Sequence, residues 1–163
     1  VGRTFIEPTQ HIRSLGVKLK LSSTKTMLKN KKVILVDDSL VRGTTCLKII
    51  KMLYEGGAKE VHVRIACPEI IFPDFYGVDM PTKSELLASN KNTAEMCEYI
   101  GAKSLKFLTL DGLYNALGKG KRNKSYPQFS DHYFTGDYPV KPLDYLKEGK
   151  VTQLSLLSGK SNS

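Results

Sequence analysis

The hydrophobic residues of the chain follow two spacings that alternate along its middle part. Val33–Val36 is a short, unbroken apolar run, typical of a parallel-sheet strand that is buried on both faces. From Cys46 onwards apolar residues recur at helical spacing until Gly56 and Gly57, which have the character of a helix C-cap. Residues 61–66 give the next strand. This pattern predicts a strand–helix–strand unit with a right-handed crossover.

Further along, the pattern predicts helices at Lys83–Ala88 and, from an N-cap at Asn92, through Ile100. A strand at Leu105–Leu110 and a helix at Asp111–Leu117 follow. Strands and helices thus alternate, which predicts an α/β fold with a parallel sheet flanked by helices.

The ends of the chain differ in composition from this middle part. Residues 1–32 carry eight Lys and Arg against one acid, whereas residues 33–117 carry nine against eleven. We therefore divide the chain into a basic lead-in, 1–32, a core, 33–117, and an irregular C-terminal extension, 118–163. The end of that extension, from Ser155, is expected to be disordered.

The overall composition narrows the class of protein. With 163 residues, 40% hydrophobic and 25% charged, one soluble domain is expected. The net charge of +9 lies mostly in the lead-in, where no aromatic residues interleave with the lysines, so nucleic acid is not an expected partner. Three widely spaced cysteines favour reduced thiols and a cytoplasmic location. No apolar run reaches the roughly 18 residues of a membrane span, and the initial valine suggests a fragment.

The candidate site follows the first strand. Asp37 and Asp38 end that strand, where side chains project toward the ligand crevice of an open sheet. The loop Ser39–Thr45 precedes a helix, whose N-terminal N–H groups can bind phosphate. Carboxylates can bind ribose hydroxyls or hydrated Mg²⁺, so the pair of features suits a sugar phosphate. Two plainer alternatives stay open, a solvated acid pair and hydroxyl side chains that only cap the helix.

The stretch Val36–Thr45 resembles the phosphoribosyl-pyrophosphate (PRPP) signature of the type I phosphoribosyltransferases. Four shorter stretches, Arg3–Ile6, Pro68–Ile70, Tyr76–Pro81 and Phe134–Pro139, resemble one family within that class, the amidophosphoribosyltransferases. The resemblance runs nearly from end to end of the chain and covers only about the last third of the family's chain. It implies a partial type I phosphoribosyltransferase fold.

The resemblance also implies a function. Members of the family release ammonia from glutamine in one domain and use it to displace pyrophosphate from PRPP, giving phosphoribosylamine, the first committed step of purine synthesis. The implied PRPP-binding residues are Asp37, Asp38, Ser39, Arg42, Gly43, Thr44, Thr45 and Arg3. Asp37 and Asp38 would hold the ribose hydroxyls and assist Mg²⁺, and the loop would hold the 5′-phosphate. Nucleoside monophosphates are further implied ligands.

The resemblance leaves the roles of two arginines open, and it bears on an iron–sulfur cluster. Arg42 pairs either with phosphate or with a neighbouring acid, and a role in shaping the loop is favoured. Arg3 either closes on pyrophosphate, contacts the glutaminase domain or is solvated. Some relatives carry an iron–sulfur cluster, but Asp74, Ser130 and Tyr133 stand at its ligand positions here, so no cluster is expected.

The resemblance further implies that parts of the enzyme are missing from this sequence. The glutaminase domain with its N-terminal cysteine and the pyrophosphate loop are absent, so no catalytic residue is assigned and the chain alone is expected to be inactive. Its expected partners are that missing N-terminal portion and, in the full enzyme, further copies in a homo-oligomer.

An alternative is the receiver domain of two-component signalling, with Asp37 and Asp38 as its acidic pocket, Asp79 as phosphoacceptor and Lys141 as switch lysine. Pro73 and Asp74 interrupt the buried strand that should precede Asp79, which counts against it. A Walker A site lacks its lysine. The three histidines look isolated, and no Ser–His–Asp spacing is evident.

Overall fold

Three parallel strands with helices between them form the centre of the fold, in a computed structural model that describes residues 25–77 and 82–140. The strands are β1 (Lys32–Asp37), β2 (Glu60–Ile65) and β3 (Ser104–Phe107), in the order β1-β2-β3. All neighbouring pairs are parallel, and Ile34 pairs with His62, which in turn pairs with Ser104. The helices are α1 (Lys25–Leu28), α2 (Thr44–Glu55), α3 (Leu87–Asn90), α4 (Thr93–Ile100), α5 (Leu110–Ala116) and α6 (His132–Thr135), and a 3-10 turn covers Lys83–Glu85.

Most predicted elements are confirmed. The helix predicted from Asn92 is α4, where the Asn92 side chain accepts from the Glu95 N–H and Gly101 ends the helix in the left-handed conformation. The helix predicted at Lys83–Ala88 is wrong in one respect, because Leu86 is extended and separates the 3-10 turn from α3. The break coincides with a residue whose side chain is completely buried, Leu86.

One face of the sheet carries the hydrophobic core. Val61, Val63 and Ile65 of β2 are buried at 3% exposure or less, and they pack against the apolar sides of α2 and α4. Ile50 of α2 and Met96 of α4 belong to the same cluster. Alternation along β2 therefore puts its apolar side chains on this face and its polar ones on the other.

The opposite face of the sheet is open among the described residues. Ile34 and Val36 of β1 are 65% and 67% exposed. Beside them, His62 Nδ1 lies 2.8 Å from Ser104 Oγ, and the Arg64 guanidinium donates to the same oxygen at 3.1 Å. The expectation that β1 is buried on both faces is thus wrong for the described residues, because they cover only one face.

Residues after α5 are fixed by ionic and backbone contacts. The Arg122 guanidinium donates to both carboxylate oxygens of Asp131, at 2.5 and 3.1 Å, and to Asp137 at 2.6 Å. The Tyr133 carbonyl accepts from the Ile71 N–H at 2.9 Å. The segment 118–140 is therefore attached to the loop that follows β2. The division of the chain into three parts stays a prediction, and Arg3, Asp79, Lys141 and the end of the extension lie outside the described residues.

Candidate functional site

The acid pair lies where the sequence predicted it, at the carboxyl end of β1. Asp37 is the last residue of the strand, its Oδ1 accepts from the Asp38 N–H at 3.0 Å, and Asp38 Oδ1 accepts from Ser39 Oγ at 3.0 Å. Burial raises the pKa of Asp37, the Asp38 N–H partly offsets this rise, and the Asp38 charge adds to it. The two carboxylates thus form one local unit whose geometry is set by the turn.

The loop after the acids leads into the longest helix of the described chain. Gly43 is the N-cap of α2 and has a φ of 75°, in the left-handed region. Thr44 and Thr45 are exposed, and within the described residues no side chain caps this helix and no acid lies in its first turn. The first N–H groups of a helix need acceptors, so an external anion can take this place. This observation disfavours one of the plainer alternatives left open by the sequence, that the hydroxyl side chains of the loop only cap the helix.

Two neighbouring helices fix the shape of the loop. A Cβ placed on Gly43 would lie 2.8 Å from Leu87 Cδ2 and 3.0 Å from Tyr99 Cε1, so α3 and α4 approach the loop backbone closely. The Leu87 N–H donates to the Val41 carbonyl at 2.9 Å, and Leu40 is buried in the core. The loop is therefore preorganised by packing.

Arg42 pairs with an acid rather than standing free. Its Nε lies 3.2 Å from Glu85 Oε1, on the 3-10 turn before α3, and both side chains are about half exposed. Burial acts to raise the pKa of Glu85, but the Arg42 contact and the Thr82 hydrogen bonds lower it overall. Because the pair is exposed, its stabilising effect is small. Its evident role is to tie the loop to residues 82–85.

The chain is similar in sequence to several proteins of known activity. No family model matches the chain. The chain is 57% identical over 159 residues to an amidophosphoribosyltransferase of Rhizobium etli, across 97% of this chain and 32% of the relative. It is 52% identical to the chloroplastic amidophosphoribosyltransferase 1 of Arabidopsis thaliana, across 88% of this chain and 25% of the relative. The Staphylococcus aureus enzyme is 50% identical, across 89% of this chain and 29% of the relative.

The chain is homologous to the amidophosphoribosyltransferases. It spans about a third or less of the length of the curated relatives that it matches.

Solved structures give the same result for the fold. The glutamine PRPP amidotransferase of B. subtilis, complexed with ADP and GMP, is 42% identical with a TM-score of 0.66, across 86% of this chain and 30% of that one. A structure described as the allosteric regulatory enzyme of purine biosynthesis is 40% identical with a TM-score of 0.62. The parallel sheet with flanking helices is therefore part of a type I phosphoribosyltransferase fold, as the resemblance implied.

The family resemblance of the sequence implies a Mg²⁺ ion at the acid pair. Asp37 and Asp38 each use one oxygen in the hydrogen bonds given above, and their other oxygens have no hydrogen-bond partner among the described residues. The described part of the chain holds no cluster of three or more metal-binding side chains. Mg²⁺ commonly binds to one or two carboxylates together with water and substrate oxygens, so this donor set fits Mg²⁺.

The sequence analysis missed one neighbour of the acid pair. Cys67 follows β2, whose end lies beside the end of β1, and its half-buried thiol is close enough to feel the charges of both acids. Burial, together with the charges of Asp38 and Asp37 and despite the Leu40 N–H, raises the pKa of Cys67 to about 11. The thiol is therefore protonated and weakly nucleophilic near neutral pH. The adjacency of parallel strand ends was the signal that could have found it.

The positions implied for an iron–sulfur cluster in some amidophosphoribosyltransferases also come together. Asp74 and Ser130 both contact the ring of His132, at 2.7 and 3.0 Å, and Tyr133 lies next to that ring. No Ser–His–Asp spacing was evident in the sequence, yet the fold brings Ser130, His132 and Asp74 within hydrogen-bonding distance. Sequence spacing could not reveal it, because Asp74 and His132 are 58 residues apart.

Proposed function

We propose that this chain is the C-terminal part of an amidophosphoribosyltransferase and that residues 37–45 bind the ribose 5-phosphate portion of PRPP. One observation supports this most strongly: a pair of carboxylates adjoins the N-terminus of α2, which no described side chain caps. Homology to amidophosphoribosyltransferases along most of the chain supports the same ligand.

Each residue then has a defined part in binding. Asp37 and Asp38 bind the ribose hydroxyls and would hold Mg²⁺, while the N–H groups of Thr44 and Thr45 and the hydroxyl of Ser39 hold the 5′-phosphate. Gly43 allows the backbone to approach the ligand closely. Arg42 holds the loop through Glu85. Arg3 lies outside the described residues, and its contact with the pyrophosphate stays a prediction. Mg²⁺ would neutralise charge on PRPP when bound.

The binding experiment compares three forms of the chain. PRPP or GMP with Mg²⁺ is titrated into the unaltered chain, into Asp37→Asn with Asp38→Asn, and into Asp111→Asn. Asp111 is the matched control, an exposed acid in the first turn of another helix. Loss of charge-assisted contacts should cost about 1.5–3 kcal/mol, a tenfold to hundredfold weaker Kd, only in the Asp37 and Asp38 variant. Equal affinity in all three forms would refute the proposal.

The full reaction converts PRPP, glutamine and water to phosphoribosylamine, glutamate and pyrophosphate, and it requires more than this chain. We assign no catalytic residue here. PRPP must be held at both ends as pyrophosphate departs, and residues 37–45 hold only its ribose 5-phosphate end. The open face at Ile34 and Val36 supports a further segment of the enzyme packing there. We therefore expect the chain to be inactive on its own and the full enzyme to be a homo-oligomer.

Release of pyrophosphate from PRPP tests whether the chain is inactive on its own. With PRPP, ammonia and Mg²⁺, the chain alone should show no turnover, and addition of the N-terminal two thirds of a relative should restore it. A rate for the chain alone that equals the complemented rate would contradict the assignment of missing parts.

The proposal extends to binding of nucleoside monophosphates and to a cytoplasmic location. The B. subtilis homologue was solved with ADP and GMP, and GMP shares the ribose 5-phosphate group that the loop recognises. All three cysteines are unpaired, which supports a reducing, cytoplasmic setting. In the part of the chain that is described, no helix is long and apolar enough to cross a membrane. The division at residues 32 and 117 is part of the proposal.

The receiver-domain alternative finds no support in the comparisons. It requires a buried strand immediately before Asp79, and the described residues 66–77 contain no strand.

A further inference from the structure

A chain of hydrogen bonds connects a buried carboxylate to a surface hydroxyl through one imidazole. Asp74 Oδ1 lies 2.7 Å from His132 Nε2, and Ser130 Oγ lies 3.0 Å from His132 Nδ1. The Asp74 side chain is fully buried and the His132 side chain is 2% exposed, whereas Ser130 is exposed. Carboxylate, imidazole and hydroxyl thus run in order from the interior to the solvent.

The hydrogen-bonding partners fix which nitrogen of His132 carries the proton. A carboxylate oxygen only accepts, so Asp74 requires a proton on Nε2. When the ring carries this one proton, Nδ1 holds a lone pair that can accept from the Ser130 hydroxyl. Asp74 is itself oriented by the Tyr76 N–H, which donates to its second oxygen at 3.0 Å. An imidazole that has a carboxylate on one nitrogen and a serine hydroxyl on the other can act as general base for that serine, although the two nitrogens are exchanged here relative to the usual Ser–His–Asp triad.

Aromatic rings hold His132 in place. Tyr133 lies 4.1 Å from it between ring centroids, and Tyr76 and Tyr138 each lie 5.1 Å away. Burial, followed by the charge of Asp74 and a hydrogen bond to it, raises the pKa of Tyr133. The imidazole is therefore confined by neutral rings and has little freedom to leave either partner.

Ser130 opens onto a cleft of about 390 Å³. Gln128 forms part of its wall and is fixed by hydrogen bonds, accepting from the Asn123 N–H at 3.0 Å and donating to the Lys121 carbonyl at 3.2 Å. Lys124 brings a positive charge to the same cleft. A small ester has room here, beside one positive and one negative side chain, Lys124 and Asp137.

We propose that Ser130 is a nucleophile for acyl transfer from activated esters, with His132 as general base and Asp74 as the residue that orients it. Ser130 Oγ attacks the ester carbonyl and its proton passes to His132 Nδ1. The ester C–O bond breaks, and the proton leaves with the alcohol. Water then attacks the acyl-serine by the same route, giving the carboxylic acid and free Ser130. This activity is independent of PRPP binding.

The test uses the full 163-residue chain with a fluorophosphonate, which forms a P–O bond to a reactive serine as its P–F bond breaks. Peptide mass spectrometry should locate the label on Ser130, and Ser130→Ala should abolish it. Ser84→Ala is the matched control, since Ser84 is also exposed but bonds to the Thr82 hydroxyl instead of an imidazole. Hydrolysis of p-nitrophenyl acetate should follow the same order.

Two further comparisons make the result decisive. Labelling of the folded chain should exceed that of the urea-unfolded chain at least tenfold, and folded Asp74→Asn, checked by circular dichroism, should lose at least tenfold. Equal labelling in Ser130→Ala, or in the unfolded chain, would overturn the proposal. Full reactivity of folded Asp74→Asn would overturn the role given to Asp74. Ser130 is on the surface, so its variant keeps the fold and decides the main point by itself.

Discussion

Substitution of Gly43 by alanine tests whether the phosphate loop is preorganised by packing. Gly43 has a φ of 75°, and a Cβ there would meet Leu87 Cδ2 at 2.8 Å and Tyr99 Cε1 at 3.0 Å. Two separate costs follow. The left-handed backbone disfavours any residue with a Cβ, and the new methyl group overpacks the contact with α3 and α4.

The two costs are of similar size, so a control variant is needed to separate them. The left-handed conformation costs an L-residue about 1–2 kcal/mol. Overpacking a close contact adds typically about 1–3 kcal/mol. We therefore expect Gly43→Ala to lower the free energy of unfolding by about 2–5 kcal/mol. Gly118→Ala is the control, because Gly118 has nearly the same φ, 74°, with nothing within 4 Å of its Cβ position. It should lose only the backbone part.

Urea unfolding followed by far-ultraviolet circular dichroism measures both variants, since the chain has no tryptophan. The same samples are titrated with GMP, and Gly43→Ala should bind at least tenfold more weakly while Gly118→Ala binds normally. If the two variants lose the same stability, within about 0.5 kcal/mol, then α3 and α4 do not constrain the loop and the packing argument is wrong.

The remaining predictions concern the scaffold and the metal content. Burial acts to raise the pKa of Asp131, but the hydrogen bonds from Arg122 and Tyr114 lower it overall. The ionised Asp131 carboxylate therefore stabilises the folded chain above the pKa that this group has in the unfolded chain, and this stabilisation is lost as pH falls through its pKa in the folded chain. Urea unfolding below about pH 4 should therefore show declining stability, and Asp131→Asn should lose about 3 kcal/mol at pH 7 and show a flatter pH dependence; an unchanged profile would contradict this. Asn92→Ala should cost about 1 kcal/mol through loss of the α4 cap without changing GMP affinity, whereas a loss below the error of the unfolding measurement would show the cap to be dispensable. Anaerobically purified protein should contain no iron–sulfur cluster, and stoichiometric iron with visible absorption would refute that expectation.

The part of the site that the sequence predicted is the part that is local in the chain. Asp37 to Thr45 is one continuous turn from strand to helix, and the apolar run before it and the helical spacing after it fix where it lies. Its chemistry follows from general properties of strand ends and helix N-termini. What no local pattern could show is why the loop keeps its shape, because Leu87 and Tyr99 come from two later helices.

The prediction that β1 is buried on both faces shows a different limit. Four apolar residues in a row indicate that both sides of a strand have apolar neighbours, but they do not say which segment supplies them. Here α2 and α4 cover one side, and Ile34 and Val36 remain exposed on the other among the described residues. The apolar run therefore correctly indicated a strand with apolar side chains on both faces. It could not show whether the described residues cover both of those faces.

Non-local chemistry is where sequence reasoning failed outright, and the Asp74, His132 and Ser130 grouping shows the physical reason. His132 and Ser130 lie two residues apart in a stretch without clear periodicity, and Asp74 lies in the irregular loop after β2. They meet because the Tyr133 carbonyl accepts the Ile71 and Phe72 N–H groups, which docks one irregular segment on the other. Backbone hydrogen bonds between a loop and a short helix leave no hydrophobic signature, since they depend on chain geometry and not on side-chain polarity. A catalytic grouping of this kind is therefore visible only once the backbone is placed, and the reactivity of Ser130 becomes the measurement that separates a chemical role from a purely structural one.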